Sequence, residues 1–243
     1  MRVANALVAR VLAELADTVA PGVTTRDLDV LAEKLVRAGG AEPAFKGYRG
    51  YPATLCASVN EQVVHGIPSA RPLNEGDIVS LDMGVKLNGF YGDSAITVPV
   101  GEVSPEVRRL LQATQGALQQ GISKVRVGGR ISDIGHAIQQ HVESEGFSVV
   151  REFVGHGIGS ALHEEPQIAN YGDPGRGPRM AEGMVLAIEP MVNMGRPAVK
   201  VLSDGWTAVT RDGSLSAHFE HTVAVTKDGP LVLTMRSATT SVS

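Results

Sequence analysis

The run Glu75-Gly76-Asp77-Ile78-Val79-Ser80-Leu81-Asp82 is matched position by position by a later one, Glu182-Gly183-Met184-Val185-Leu186-Ala187-Ile188-Glu189. Each starts on an acid and a glycine, continues through strand-forming apolar residues and ends on a carboxylate. A similar match sets Gly22 on Gly128, Asp27-Leu28 on Asp133-Ile134 and Val36 on Val142, and another sets Phe90-Tyr91-Gly92-Asp93 on Ala217-His218-Phe219-Glu220. Acids meet acids twice: Asp82 with Glu189, and Asp93 with Glu220. A chain of 243 residues patterned in this way is expected to form two like halves, about 1–104 and 105–235. Its class is then α/β, more strictly α+β, because helical stretches precede strand-like ones in each half.

The local signals follow that order. Leu7, Val8, Val11, Leu12 and Leu15 recur at helical spacing up to Pro21-Gly22. A second helix begins after Thr24 or Thr25 and ends at Gly39-Gly40. Residues 43–72 read as loop with one short strand. Two strands, 77–82 and 89–98, are joined by a turn at Asn88-Gly89. The second half predicts helices over 105–120 and 131–145, the latter capped by Ser132. Strands are expected at 148–154, 183–189, 198–202, 206–210 and 217–226, with Tyr171 to Arg179 a Gly/Pro loop and 237–243 a frayed tail.

Composition removes several classes of function. Apolar residues are 43% and charged residues 20%, so the chain has the means to build a core and is not a disordered one. A net charge of −4 offers no basic footprint, so neither nucleic acid nor an anionic membrane is an expected partner. The lone Cys56 has no partner for a disulfide, which fits a reducing compartment. Arg10, Glu14 and Asp17 interrupt the first twenty residues, and no apolar run is long enough to span a bilayer. A cytoplasmic monomer is the expectation, the apolar patterns being used up by two halves packing together.

The acids carry the chemistry. Asp82 and Glu189 each end a run of residues that seek burial, and a buried carboxylate is costly unless it is paired or bound to a cation. A two-fold arrangement brings Asp82, Asp93, Glu189 and Glu220 to one axis, where they repel and raise one another's pKa. Two divalent metals, roughly 3.5–4 Å apart, would resolve that repulsion. Thiol-free ligation selects Mn, Fe, Co or Zn over a structural zinc cage. Three histidines lie in Gly- and Pro-punctuated loops: His65, His156 and His163. His136 and His141 fall on a helix and read as structural, and His218 and His221 flank Glu220 as supporting groups. There is no Gly-x-Ser-x-Gly elbow, no phosphate loop and no dinucleotide fingerprint.

The runs SVNEQVVHGIP, GHGIG, HEEP, IEPM and SLSAHFEHT resemble the type I methionine aminopeptidases, in their short bacterial form, from the first helix to about Leu233. GHGIG and HEEP are shared with the wider pita-bread metallopeptidases, including proline-specific ones. NEQVVHGIP and SLSAHFEHT are more specific to the type I branch. The resemblance implies one catalytic domain over 1–243, with two pseudo-symmetric halves and a central curved antiparallel sheet flanked by helices. It implies hydrolytic removal of the initiator methionine, with a small second residue preferred. By position, Asp82, Asp93, His156, Glu189 and Glu220 match metal ligands, Asp93 and Glu220 being the bridging pair. His65 and His163 match the histidines that contact substrate, and Glu189 the proton shuttle. Tyr48, Tyr51, Cys56, Leu162 and Trp206, with His65 and His163, match the substrate pocket, and Leu162 and Phe45 depart from the family's usual residues there. Asn60 and Ser216 match a monovalent-cation site for K or Na. The partners implied are peptide and nascent-protein N-termini beginning with Met, together with a transient ribosome association. Two other readings remain open: a proline-directed aminopeptidase, and a non-catalytic module of the same fold.

Overall fold

A computed structural model describes residues 1–235; the expected tail, 237–243, lies outside the described residues. In the first half, α1 (Arg2–Thr18) and α2 (Thr25–Ala38) precede β1 (Glu42–Pro43), β2 (Cys56–Val59), β3 (Gln62–Val64), β4 (Ile78–Leu87) and β5 (Phe90–Pro99). In the second, α3 (Pro105–Ile122) and α4 (Ile131–Ser144) precede β6 (Ser148–Val149), β7 (Gly155–Gly157), β8 (Glu164–Ile168), β9 (Val185–Ile188) and β10 (Met191–Asn193). Then come β11 (Val199–Val201), β12 (Ala208–Thr210), β13 (Ser216–His218), β14 (His221–Thr226) and β15 (Gly229–Val232).

The helices form where their ends are satisfied. Thr24 caps α2 through a reciprocal pair: its hydroxyl accepts from Asp27 N–H at 3.1 Å, and the Asp27 carboxylate accepts from Thr24 N–H at 3.1 Å. Ser104 caps α3, with Pro105 in the first helical position. Ser132 does not cap α4. The N-cap there is Arg130, whose N–H donates to Asp133, while the Ser132 hydroxyl accepts from Arg176 N–H across a loop. Asp133 already serves the helix start, so the serine is free to tie down residues 172–180.

All strand pairs are antiparallel. One sheet has β4 at its centre, flanked by β2, β5 and β1; another runs β15-β14-β9-β7-β8. Two smaller ones run β13-β10-β6 and β11-β12-β3. The β4–β5 hairpin closes through Asn88 (φ 51°) and Gly89 (φ 80°), both left-handed, as a two-residue turn of the twist-matched kind requires. One core lies between α1, α2 and β4, built on residues such as Leu12, Leu15, Leu28 and Leu81. The other lies between α3, α4 and the second-half strands, with Leu110, Ile134, Ile138 and Leu186 fully buried.

Several expected strands are shorter or differently cut. The run 217–226 breaks at Phe219-Glu220 into β13 and β14, and 148–154 keeps only Ser148–Val149. The stretch 43–72 holds three short strands rather than one, and β7, β8, β10 and β15 had no pattern of their own. The break has a geometric role. Ile188 pairs with His221 and Met191 with His218 in the same register, so Glu189-Pro190 and Phe219-Glu220 face each other in the gap between. In the first half the hairpin runs on unbroken, setting Asp82 opposite Ala95 and Asp93 opposite Gly84.

The halves are stitched along β5 by side chains and backbone together. The Ser94 hydroxyl donates to Glu220 C=O at 2.6 Å, Thr97 to His218 C=O at 2.7 Å, and Thr222 to Asp93 C=O at 2.7 Å. Glu220 N–H donates to Ala95 C=O. These buried bonds join residues more than a hundred positions apart and fix the acid-bearing strands against one another.

Candidate active site

Asp93, His156 and Glu220 present ligand atoms that all lie within 4.8 Å of one another, and all three residues are buried. Asp82 and Glu189 are half-buried beside them, and a Glu189 oxygen lies 3.5 Å from His156 Nε2. Among the described residues, Asp82 Oδ1, Asp93 Oδ1 and Glu220 Oε1 are buried with no hydrogen-bond partner. Buried carboxylate oxygens gathered without protein partners suit cations, since leaving such atoms unpaired costs free energy that a bound cation recovers. Oxygen donors with one imidazole suit divalent transition metals. The residues present therefore fit divalent metal.

The glycines around His156 are a close-approach device. A Cβ on Gly155 would run into the Ala187 carbonyl oxygen, and one on Gly157 into that of Glu165. His156 Nδ1 lies 2.8 Å from Gly157 C=O. A carbonyl only accepts, so Nδ1 carries the proton and the lone pair on Nε2 is turned toward the acids.

Burial pushes Asp93 up to about 7, against its backbone bond with Ser94. Asp82, Glu189 and Glu220 are also raised, first by burial and then by one another's charge and that of Asp93. The histidines go the other way. Burial holds His156 and His65 near 4, helped by the neighbouring His163, and holds His218 near 3. His163 is lowered by burial and then by the Arg49 charge. His218 is fully buried, with Nε2 3.9 Å from Glu189, and His221 Nδ1 lies 2.8 Å from the Thr234 hydroxyl.

A stability prediction follows for chelated protein. Carboxylates with raised folded pKa values cost stability above those values, and the cost is relieved as pH falls through them. Buried histidines with depressed values lose stability only once pH drops below their ordinary 6.5. Between pH 8 and 7 the unfolded histidines stay mostly neutral and the acids dominate, so the chelated protein should melt higher at pH 7, about 1 kcal/mol being worth ~2–4 °C at this size. With metal restored the trend should reverse, because binding needs ionised ligands. Calorimetry across that window decides it, and a chelated protein more stable at pH 8 overturns the account.

The acids share a cavity of about 190 Å³ with His65, His163, Tyr48, Tyr51, Cys56, Leu162 and Trp206. Tyr51 stands edge-on to Trp206 at 5.1 Å, and its hydroxyl donates to the Leu55 and Gly66 carbonyls. Tyr51, Cys56, Phe45 and Trp206 pack as one apolar cluster. Across from it, His163 Nδ1 meets the Tyr48 hydroxyl at 2.8 Å and its ring lies 4.3 Å from that of His156. His65 has φ 60°, a left-handed setting uncommon for a residue with a Cβ.

Asn60 and Ser216 lie outside this cavity. They meet each other: Ser216 N–H donates to Asn60 C=O at 2.9 Å, and the Asn60 side chain bridges Asp77 and Ile78 N–H. Phe45 lines the cavity, as its departure from the family's residue in the pocket implies; Arg49 also lines it, and as an exposed charge in a glycine-rich loop it carries no signal in the sequence.

The sequence profile of metallopeptidase family M24 matches residues 1–227. The chain belongs to metallopeptidase family M24. Within that family it is 53% identical over 234 residues to methionine aminopeptidase 1 of Bacillus subtilis, covering 96% of this chain and 94% of that one. The crystal structure of methionine aminopeptidase from Rickettsia prowazekii superposes with a TM-score of 0.96 at 45% identity, over 97% of this chain and 95% of that one. The Pyrococcus furiosus prolidase shares the fold at a TM-score of 0.79 with 21% identity, this chain spanning 63% of it. The architecture is thus the pita-bread fold of M24 enzymes, and divalent metal use goes with the family and with the Asp93, His156 and Glu220 cluster. Among the described residues no helix is long and apolar enough to cross a membrane.

Proposed function

We propose that this M24 enzyme hydrolyses the peptide bond after an N-terminal methionine, in peptides and nascent proteins with a small second residue. The observation that carries it is one cavity that sets a cluster of orphaned acids beside an apolar aromatic wall. Asp82, Asp93, His156, Glu189 and Glu220 would hold two divalent ions drawn from Mn, Fe, Co or Zn. Such a pair, when bound, supplies an acidified water and polarises the scissile carbonyl.

The remaining steps belong to the chain's own groups. Glu189 takes a proton at a carboxylate oxygen and returns it to the leaving amine, as a carboxylate at the reacting centre can. With the Tyr48 hydroxyl donating to Nδ1, His163 keeps its proton on Nε2 and donates it as a hydrogen bond to the developing oxyanion. His65, held neutral by burial, hydrogen-bonds the scissile amide. Tyr51, Cys56, Leu162 and Trp206, with Phe45, enclose the methionine side chain and exclude water. The free amine of the substrate would be held at the loaded metal site, which makes the reaction specific for a chain end. Asn60 and Ser216 would hold a K or Na ion through backbone oxygens. The working unit in this reading is a cytoplasmic monomer, one catalytic domain of two halves, 1–104 and 105–235, in transient contact with the ribosome.

The test is hydrolysis of Met-Ala-Ser beside Ala-Ala-Ser and Ala-Pro-Ser, after chelation and again with each metal added. Metal-restored release from Met-Ala-Ser alone is the expected result. Cleavage of Ala-Pro-Ser without regard to methionine would establish proline-directed activity instead, and no release with any metal would leave a binding module.

A further inference from the structure

Among the described residues lining the cavity, Arg49 carries the one guanidinium, and there is no lysine. It stands in a single turn of 3-10 helix, Tyr48–Gly50, with φ 49° and ψ 22°. That left-handed setting is disfavoured for any residue with a Cβ, and Gly47 (φ 87°) and Gly50 (φ 92°) flank it in the same region of conformational space. Packing alone would be served better there by glycine or asparagine. The guanidinium lies 5.4 Å from the centre of the Tyr48 ring, and the Tyr48 hydroxyl meets His163 Nδ1 at 2.8 Å. Among the described residues Arg49 has no carboxylate partner within ion-pairing distance, and its side chain is exposed. Arg37 and Lys46, by contrast, both share Glu33.

The charge layout of the cavity gives this arginine a use. With the four acids committed to cations, Arg49 is an uncompensated positive charge on the lining. His163, Tyr48 and Arg49 line the same cavity as the acids, with Tyr48 against His163, so in the aminopeptidase reading the substrate residues beyond the scissile bond would lie beside the Tyr48–Arg49 turn. We propose that Arg49 is a specificity-determining residue that reads substrate charge beyond the scissile bond, favouring a carboxylate and disfavouring a cation at the third residue. This rests on the aminopeptidase reading above. The rival role is structural: a guanidinium that merely steadies Tyr48 and, through it, His163. A steadying role would change all substrates alike, whereas a charge-reading role changes their ratio.

The experiment compares kcat/KM for Met-Ala-Asp-Ser and Met-Ala-Lys-Ser, with Met-Ala-Ser as reference, on the metal-loaded enzyme. Wild type should prefer the acidic peptide by about fivefold at low salt, the scale of exposed charge pairs, and the preference should shrink at high ionic strength. Arg49→Lys should keep the preference, Arg49→Gln bring the ratio near unity, and Arg49→Glu invert it. A ratio that none of these substitutions moves, or an equal fall for all three peptides, overturns the proposal. Methionine release with an unmoved ratio removes Arg49 alone, while no release from any of the peptides by wild type removes the aminopeptidase reading and this proposal with it.

Discussion

Replacing Glu220 with glutamine should lower turnover by ~10³-fold or more, because the site loses a ligand and with it several kcal/mol of charge stabilisation. Asp93→Asn should do the same. Both side chains are buried, and each has an oxygen with no protein partner. The same substitutions should make the metal-free protein more stable. Glu220 lies among Asp93, Glu189 and Asp82, each of which raises its pKa. Turning one acid into an amide of similar shape removes that repulsion and keeps the backbone stitch from Ser94. Metal content by elemental analysis and melting of chelated samples at pH 8 are the checks. A Glu220→Gln protein that keeps its full metal and its turnover would refute the ligand assignment, and a chelated variant that melts below chelated wild type would refute the repulsion argument. The two effects in one substitution are the usual conflict between a site arranged for function and one arranged for stability.

His163→Ala should reduce kcat by about 10²–10³-fold, the loss seen when one oxyanion donor is removed, with metal content near wild type. Its Nδ1 lies 2.8 Å from the Tyr48 hydroxyl, and in the proposed tautomer Nε2–H faces the substrate. Tyr48→Phe should give a smaller loss, about tenfold, since the imidazole survives but its tautomer is no longer held. Both variants should bind metal, because neither residue belongs to the Asp93, His156 and Glu220 cluster. Single-turnover rates with Met-Ala-Ser separate chemistry from release. Unchanged turnover in His163→Ala removes that residue from the mechanism, and a loss of metal would move it into the ligand set.

Much of this molecule can be read one element at a time. Each of the four helices announces itself by an apolar stripe and α2 also by its capping threonine, because helix geometry couples only neighbours three and four apart. The β4–β5 hairpin is legible for the same reason: Asn88-Gly89 is a local turn signal between two strands that tolerate burial. The pairing of Asp82 with Glu189, and of Asp93 with Glu220, could be seen by setting one half on the other, and the structure brings those four side chains to one cavity with His156.

What could not be read depends on partners far along the chain. Strands β7, β8, β10 and β15 span three to five residues and exist because a neighbour completes their hydrogen bonds. The break between β13 and β14 is invisible in an apolar run, since only pairing with β9 and β10 requires Phe219-Glu220 to leave the ladder. Arg130 rather than Ser132 starts α4 because Ser132 is taken by Arg176, forty-four residues away. Arg49 lines the cavity on a loop whose Tyr48 meets His163, 115 residues further on, a contact no local pattern announces. The residue order alone thus determined the helices, the hairpin and the presence of a paired set of acids, because those are encoded by local spacing and by repetition. The register that joins the halves, and with it the distances among the acids and the residues facing the substrate, was decided by the tertiary structure, because buried bonds such as Ser94 to Glu220 act between residues that have no local relation.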